Sequence, residues 1–286
     1  MRTSFEPRIH LVTVVGEFVK ALPHMLRHYS GLGIESMYVQ VIAKYPGDPV
    51  IDEVYDYAST MRGVTLSVTV GNWQPLLQPL YQAPRNDRPN DWFVLADQDE
   101  FHLYDCDLQR IIEICERRGY HYVRGCLIDR LMANGRLGAI TRDRPIWDQF
   151  PLGAFIGYPL FRADPRKVVL AKGWVPIIQG QHLAYGGNAC PACDFFVQVH
   201  HFKWTEGLYE RLSARSSSLK RQHVSHWKES QRFVDYYVRN AGQFQMTDRR
   251  LLVASCDPEY RHWSQAKRIA LSLDNPFRRI WDSIVG

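Results

Sequence analysis

An α/β fold with a mostly parallel sheet covered by helices is the class this chain of 286 residues predicts. Three observations lead there. Short apolar runs alternate with amphipathic stretches over the first half of the chain. Glycines follow the amphipathic stretches, where helices stop. The apolar run Trp92-Phe93-Val94-Leu95-Ala96 ends abruptly in Asp97-Gln98-Asp99-Glu100.

The elements follow in order. Arg8 to Val15 reads as a strand. Val19 to Ser30 reads as a helix, because Leu22, Met25, Leu26 and Tyr29 recur at i, i+3, i+4 and i+7; Gly31 and Gly33 stop it. Met37 to Ala43 is the next strand. Ile51 to Arg62 is the next helix, with Ile51, Val54, Tyr55, Ala58 and Met61 on one face and Gly63 as its stop. Val64 to Val70 and Trp92 to Ala96 are further strands. Between them, residues 71–91 hold four prolines and predict a helix fragment and a surface loop. Leu108 to Arg118 is a helix with Leu108, Ile111, Ile112 and Cys115 inward and Gly119 after it; Tyr122 to Leu127 is a strand. Residues 129–198 are rich in Gly, Pro and aromatics, with irregular strands at Val168–Leu170 and Val175–Ile178. From Thr205 the chain turns helical and basic. Trp227, Gln231, Val234 and Val238 fall at helical intervals, and a second stretch runs near Trp263 to Leu273.

Composition bounds the function. Net charge is +5, from 35 Lys+Arg against 30 Asp+Glu. That mild excess suits an anionic small ligand or an anionic membrane surface. No dense basic block or nucleic-acid motif accompanies it, so nucleic acid is not an expected partner. The N-terminus lacks the apolar segment of a signal peptide, and no apolar run approaches the length of a membrane span. A cytoplasmic protein, in peripheral association with the inner face of a membrane or free of it, is the expectation. Six cysteines then read as reduced thiols. Cys190-Pro191-Ala192-Cys193 before His200-His201 reads either as a zinc site of unusual spacing or as a turn with two free thiols.

Clustered carboxylates at a strand end repel one another. They become reasonable if a divalent cation and its anionic ligand sit there, and Mg²⁺ or Mn²⁺ prefers such oxygens. In an extended backbone Asp97 and Asp99 point to one side and Glu100 to the other. Asp105-Cys106-Asp107 repeats the pattern but precedes the Leu108 helix, so capping accounts for it.

Several segments carry a resemblance. Trp92 to Phe101 (WFVLADQDEF) is similar to a metal motif that pairs a hydrophobic strand with Asp-x-Asp-Glu-Phe. Val14-Val15-Gly16-Glu17 stands where Arg-Asn-Glu often follows the first strand, with Gly16 in place of the Asn. Leu22 to Val39, Gly125 to Arg130 (GCLIDR) and Val199 to Trp204 (VHHFKW) match further segments in order. Together, over roughly residues 8–204, they resemble the GT-A glycosyltransferases of a family-2-like bacterial group.

The resemblance implies a GT-A-like, Rossmann-like catalytic domain over 1–204, with a nucleotide-sugar half about 1–107, an acceptor half about 108–204 and a helical extension over 205–286. It implies Mn²⁺ or Mg²⁺ on Asp97, Asp99 and His201. A nucleoside-diphosphate sugar would lie near Thr13, Val15, Glu17, Lys44, Asp48, Asp97, Gln98 and Lys203. The acceptor, a carbohydrate or other hydroxyl compound, would be activated by Asp129 or, second, Asp148, with surface polysaccharide or glycoconjugate as the expected product. The oligomeric state is left open. A nucleotidyltransferase, or a binding module without catalysis on the same fold, stands as the alternative. A nucleotidyltransferase calls for a glycine-rich loop after the first strand, where this chain has one glycine.

Overall fold

The structure is a computed structural model, and it describes residues 8–192, 194–195, 197–223 and 227–255. The expected helix near Trp263 to Leu273 and the second cysteine of the Cys-x-x-Cys pair, Cys193, lie outside the described residues.

In chain order the elements are β1 (Ile9–Val15), a 3₁₀ turn (Val19–Ala21) running into α1 (Leu22–Ser30), β2 (Ser36–Ala43), α2 (Pro49–Ala58), β3 (Val64–Val70), α3 (Trp73–Asn86), β4 (Trp92–Leu95), β5 (Glu100–Leu103), α4 (Leu108–Arg118) and β6 (Tyr122–Leu131). Then come α5 (Ile146–Gln149), β7 (Leu152–Ala154), α6 (Gly157–Phe161), β8 (Arg166–Lys172), β9 (Val197–His201), α7 (Leu208–Arg221), α8 (Trp227–Arg239) and β10 (Ala254–Ser255). They fall into two compact units. The first runs up to Gly125 and takes in Arg166–Val199; the second is Cys126–Pro165 with the chain from His200 onward.

The first unit is built on β1, β2, β3 and β4, which pair in parallel in the order β3-β2-β1-β4, with β8 antiparallel on β4. The expected α/β class is therefore what forms. β1 and β4 are buried along their whole length, as strands covered on both faces must be. α1 buries Leu22, Met25, Leu26 and Tyr29, and α4 buries Leu108, Ile111, Ile112 and Cys115, the faces their spacing predicts. Gly119 closes α4 in the left-handed conformation.

Some boundaries differ. α2 starts earlier and ends at Ala58; it buries Val50, Val54 and Ala58, while Tyr55 stays exposed. The stretch 71–91, expected to be a helix fragment and loop, holds the 14-residue α3 with Pro79 and Pro84 inside it. Its buried Tyr81 joins Val12, Val14, Ile42, Phe93, Leu95 and Val168 in one core, and that packing outweighs the missing amide donors. Val175–Ile178 is not a strand: after the turn at Gly173 and Trp174 only a single bridge, Ile177 to Ala184, forms. Asp107 sits at the N-cap of α4 without a side-chain capping hydrogen bond.

In the second unit β6, β7 and β10 form an antiparallel set, with Asp129 opposite Ala154 and Ala254 opposite Gly153. Its core gathers Leu131, Ile156, Phe161, Trp204, Leu208, Leu212, Phe233, Tyr236 and Phe244. The expected helical region is present as α7 and α8. α8 buries Ser230, Phe233 and Tyr236, whereas Val238, read as part of a helical stripe, is 59% exposed. Among the described residues no helix is long and apolar enough to cross a membrane.

Candidate functional site

The strand order fixes where a ligand can lie in the first unit. From β1 the chain steps to β2 and β3 on one side, then returns to place β4 on the other. Ligands of open α/β sheets bind at such a reversal, beyond the carboxyl ends of the strands. Here those ends carry Gly16, Glu17 and Phe18 after β1, and Asp97 to Glu100 after β4. Gln98 ties the two loops together, its amide Nε2 donating to the Glu17 and Phe18 carbonyls, each at 3.2 Å. Phe18 is held in the left-handed region (φ 65°) with its ring about half exposed. A bulky residue there is strained, and such strain collects where the surroundings dictate the backbone.

The other expected nucleotide contacts divide. Thr13 and Val15 are fully buried inside β1, so their side chains cannot reach a ligand. Lys44 pairs with Glu17, and that carboxylate raises the lysine's pKa. Asp48 accepts from the Lys44 and Val50 amides and caps α2, and the two amides hold its pKa below the ordinary value. Gly16 has a close neighbour in Trp73. A Cβ there would stand 2.6 Å from Cζ3 of Trp73, whose ring fills that space.

The acidic segment after β4 is not extended. The Glu100 amide donates to the Asp97 carbonyl at 2.9 Å and closes a turn, so the alternation argument for Asp97 and Asp99 does not hold. Glu100, expected to face away, is buried. The cause is a residue the sequence reading passed over. Lys167 of β8, its side chain 3% exposed, places Nζ 2.8 Å from Oε1 of Glu100 and 3.1 Å from Oδ2 of Asp97. It also donates to the Gly180 carbonyl at 3.1 Å. Asp97 Oδ1 accepts from Tyr81 Oη at 2.6 Å and Gln181 Nε2 at 3.2 Å. The remaining Glu100 oxygen accepts from the Asp97 amide at 3.3 Å. Burial would lower the pKa of Lys167, but the charges and hydrogen bonds of Asp97 and Glu100 outweigh it and raise it.

A divalent ion of the Mg²⁺ type needs several oxygens in near-octahedral array. At this turn an ammonium already stands against Asp97 and Glu100. Among the described residues no group of three or more His, Cys, Asp or Glu is arranged to hold a metal ion. Of the metal ligands expected in the first unit, Asp97 is thus already engaged by an ammonium.

His201 belongs to the second unit, where its Nδ1 lies 3.3 Å from Oδ1 of Asp129. Asp129 Oδ2 accepts from the Ile156 and Gly157 amides at 2.8 and 3.0 Å. Burial would raise the Asp129 carboxyl, but His201 and the two amides prevail and hold it below the ordinary carboxylate value. Strand alternation separates the tandem histidines. His200 is fully buried, edge-on to Trp147 with ring centroids 5.1 Å apart. Arg130 does not pair with Asp129. It is buried under Trp147 and Phe202 and donates through Nε and Nη2 to the Phe150 carbonyl. Lys203 lies with its ammonium 5.5 Å from the Trp204 ring centre, and Asp148 is exposed on α5. Cys190 is a buried free thiol. An open recess of about 350 Å³ is lined by Arg232, Arg239 and Arg250, whose guanidinium groups already donate to Phe161, Asp235 and Asp248.

The missed residues are Lys167, Tyr81, Gln181 and Trp73. Only Lys167 left a signal: a charge next to the apolar run Val168–Ala171 of a strand, Arg166–Lys172 (RKVVLAK), which must find a partner when buried.

No family model matches this chain, and no curated protein matches it. Among solved structures it is similar to S. aureus TarS 1–349, at TM-score 0.36 and 9% identity, over 77% of this chain and 70% of that one. The same protein in complex with UDP-GlcNAc matches at TM-score 0.31 and 9% identity, over 60% and 40% of the two chains. A 4-diphosphocytidyl-2C-methyl-D-erythritol synthase matches at TM-score 0.32 and 13% identity, over 59% and 76%.

Proposed function

We propose that this chain is a glycosyltransferase that moves a sugar from a nucleoside-diphosphate sugar to an acceptor hydroxyl. One observation carries the reading: the polar turn Asp97–Glu100 and the loop Gly16–Phe18 meet at the carboxyl ends of adjacent parallel strands, at the reversal of strand order. The ordered resemblance of four sequence segments to GT-A glycosyltransferases supports it and suggests a growing glycan as acceptor. Glu17, Lys44, Gln98 and Asp99 are the candidate donor contacts.

In transfer, the acceptor oxygen bonds to the anomeric carbon as the bond to the diphosphate breaks, and the diphosphate leaves with the electron pair. The acceptor proton needs a base. The resemblance makes Asp129 the candidate for that role, and within the second unit it stands with His201. Asp129 is committed to two amides and a ring nitrogen, so the pair, rather than the carboxylate alone, is the proton-accepting candidate.

The test is release of nucleoside diphosphate from UDP-, GDP- and dTDP-sugars and of CMP from CMP-sugars. One donor should be consumed by the wild type and spared by a folded Asp129→Asn protein. Neither binding nor turnover of any donor would refute the reading.

A further inference from the structure

We infer that Lys167 is the resident cation of the Asp97–Glu100 pair, and that a nucleotide donor binds at this turn without a divalent metal ion. The inference deepens the glycosyltransferase reading and rests on it for the identity of the donor alone.

An ammonium has three N–H donors. Lys167 directs them at Asp97 Oδ2, Glu100 Oε1 and the Gly180 carbonyl, at 3.1, 2.8 and 3.1 Å. With Asp97 and Glu100 ionised, the three groups carry one net negative charge instead of the two that a bare carboxylate pair would present. The remaining carboxylate oxygens are held by Tyr81, Gln181 and the Asp97 amide. A divalent ion entering between Asp97 and Glu100 would have to displace a buried ammonium, at 3% exposure, from both carboxylates. It would also have to take oxygens already bound to four donors. A like charge beside an incoming metal ion is an electrostatic barrier in itself.

The lysine also has a consequence for the ligand. A diphosphate approaching two unpaired carboxylates is repelled unless a metal bridges them. Approaching a turn whose carboxylates are already countered, it meets much less repulsion.

The test uses the full chain. Thermal shift is read with UDP, GDP, CDP and dTDP, each in excess EDTA and each with Mn²⁺, and Mn²⁺ binding is read separately from the loss of its free-ion electron paramagnetic resonance signal. The inference expects the same nucleotide shift in EDTA as with Mn²⁺, and no Mn²⁺ uptake that depends on Asp97. It also expects Lys167→Met, or Lys167→Gln if that variant folds better, to take up Mn²⁺ that the wild type does not. A nucleotide shift that appears only with Mn²⁺, or Mn²⁺ binding by the wild type that Asp97→Asn abolishes, would overturn it. If no nucleotide shifts the protein in either condition, the donor reading fails, while the Mn²⁺ measurement still decides the role of Lys167.

Discussion

Replacing Lys167 by Met is the most demanding stability test of the buried ion pair. Methionine keeps an unbranched apolar stem as far as Cε, with sulfur in place of Cδ, and lacks the ammonium. Glu100, 2% exposed, would then lose the ammonium that faces it. Stripping one partner from a buried pair costs roughly 3–5 kcal/mol, because the surviving charge stays desolvated. The Asp97 arm adds little, since that side chain is 38% exposed and pairs of that kind contribute about 0–1 kcal/mol. We therefore expect a loss of about 3–5 kcal/mol at pH 7, read by urea unfolding followed by far-ultraviolet circular dichroism. The double variant Lys167→Met/Glu100→Gln should recover much of it, with a coupling of about 2–3 kcal/mol. The single variant's deficit should shrink toward pH 5, because a buried carboxyl that has lost its cation binds a proton more readily and sheds its charge. A loss below about 1 kcal/mol, or strictly additive variants, would refute the reasoning and make the pair a solvated one.

Gly16→Ala should change tryptophan fluorescence, since its Cβ would stand 2.6 Å from the Trp73 ring and displace it, at a cost of about 1 kcal/mol or less because that side chain is partly exposed; an unaltered emission would contradict that packing. Arg130→Lys should cost about 2–3 kcal/mol in the same unfolding assay, because a single ammonium cannot reproduce the forked donation to Phe150 between Trp147 and Phe202. The Asp129 carboxyl lies below its ordinary value in the folded protein, so its stabilisation is present above about pH 4 and lost as pH falls through the folded value. Asp129→Asn should accordingly be more damaging at pH 7 than at pH 3, and equal losses at both would exclude a charge effect.

What the sequence disclosed follows from what each pattern measures. Leu22, Met25, Leu26 and Tyr29 had to share a face because 3.6 residues make a turn, and the apolar run ending at Ala96 had to be a covered strand. α3 was harder to see because Pro79 and Pro84 argue locally against a helix, while Tyr81 reaches across to Asp97 and makes the helix worth forming. At the site, the acidic turn could be located but its chemistry could not. Its partner Lys167 lies 70 residues away in sequence from Asp97, and no local spacing announces a contact of that range. Gly16 gave a similar lesson: its close neighbour is Trp73, 57 positions further on, and only the folded chain brings the two together.

The most direct test of the central claim is nucleotide binding at the carboxyl edge of β1 and β4, read through Trp73, which packs on Gly16 there. UDP, GDP, CDP and dTDP would each be titrated while tryptophan emission is followed in the wild type and in Trp73→Phe. One nucleotide should change the wild-type emission in a saturable way, and the change should be largely lost in Trp73→Phe. No response to any of the four, or a response equal in both proteins, would contradict a donor site at this edge of the sheet.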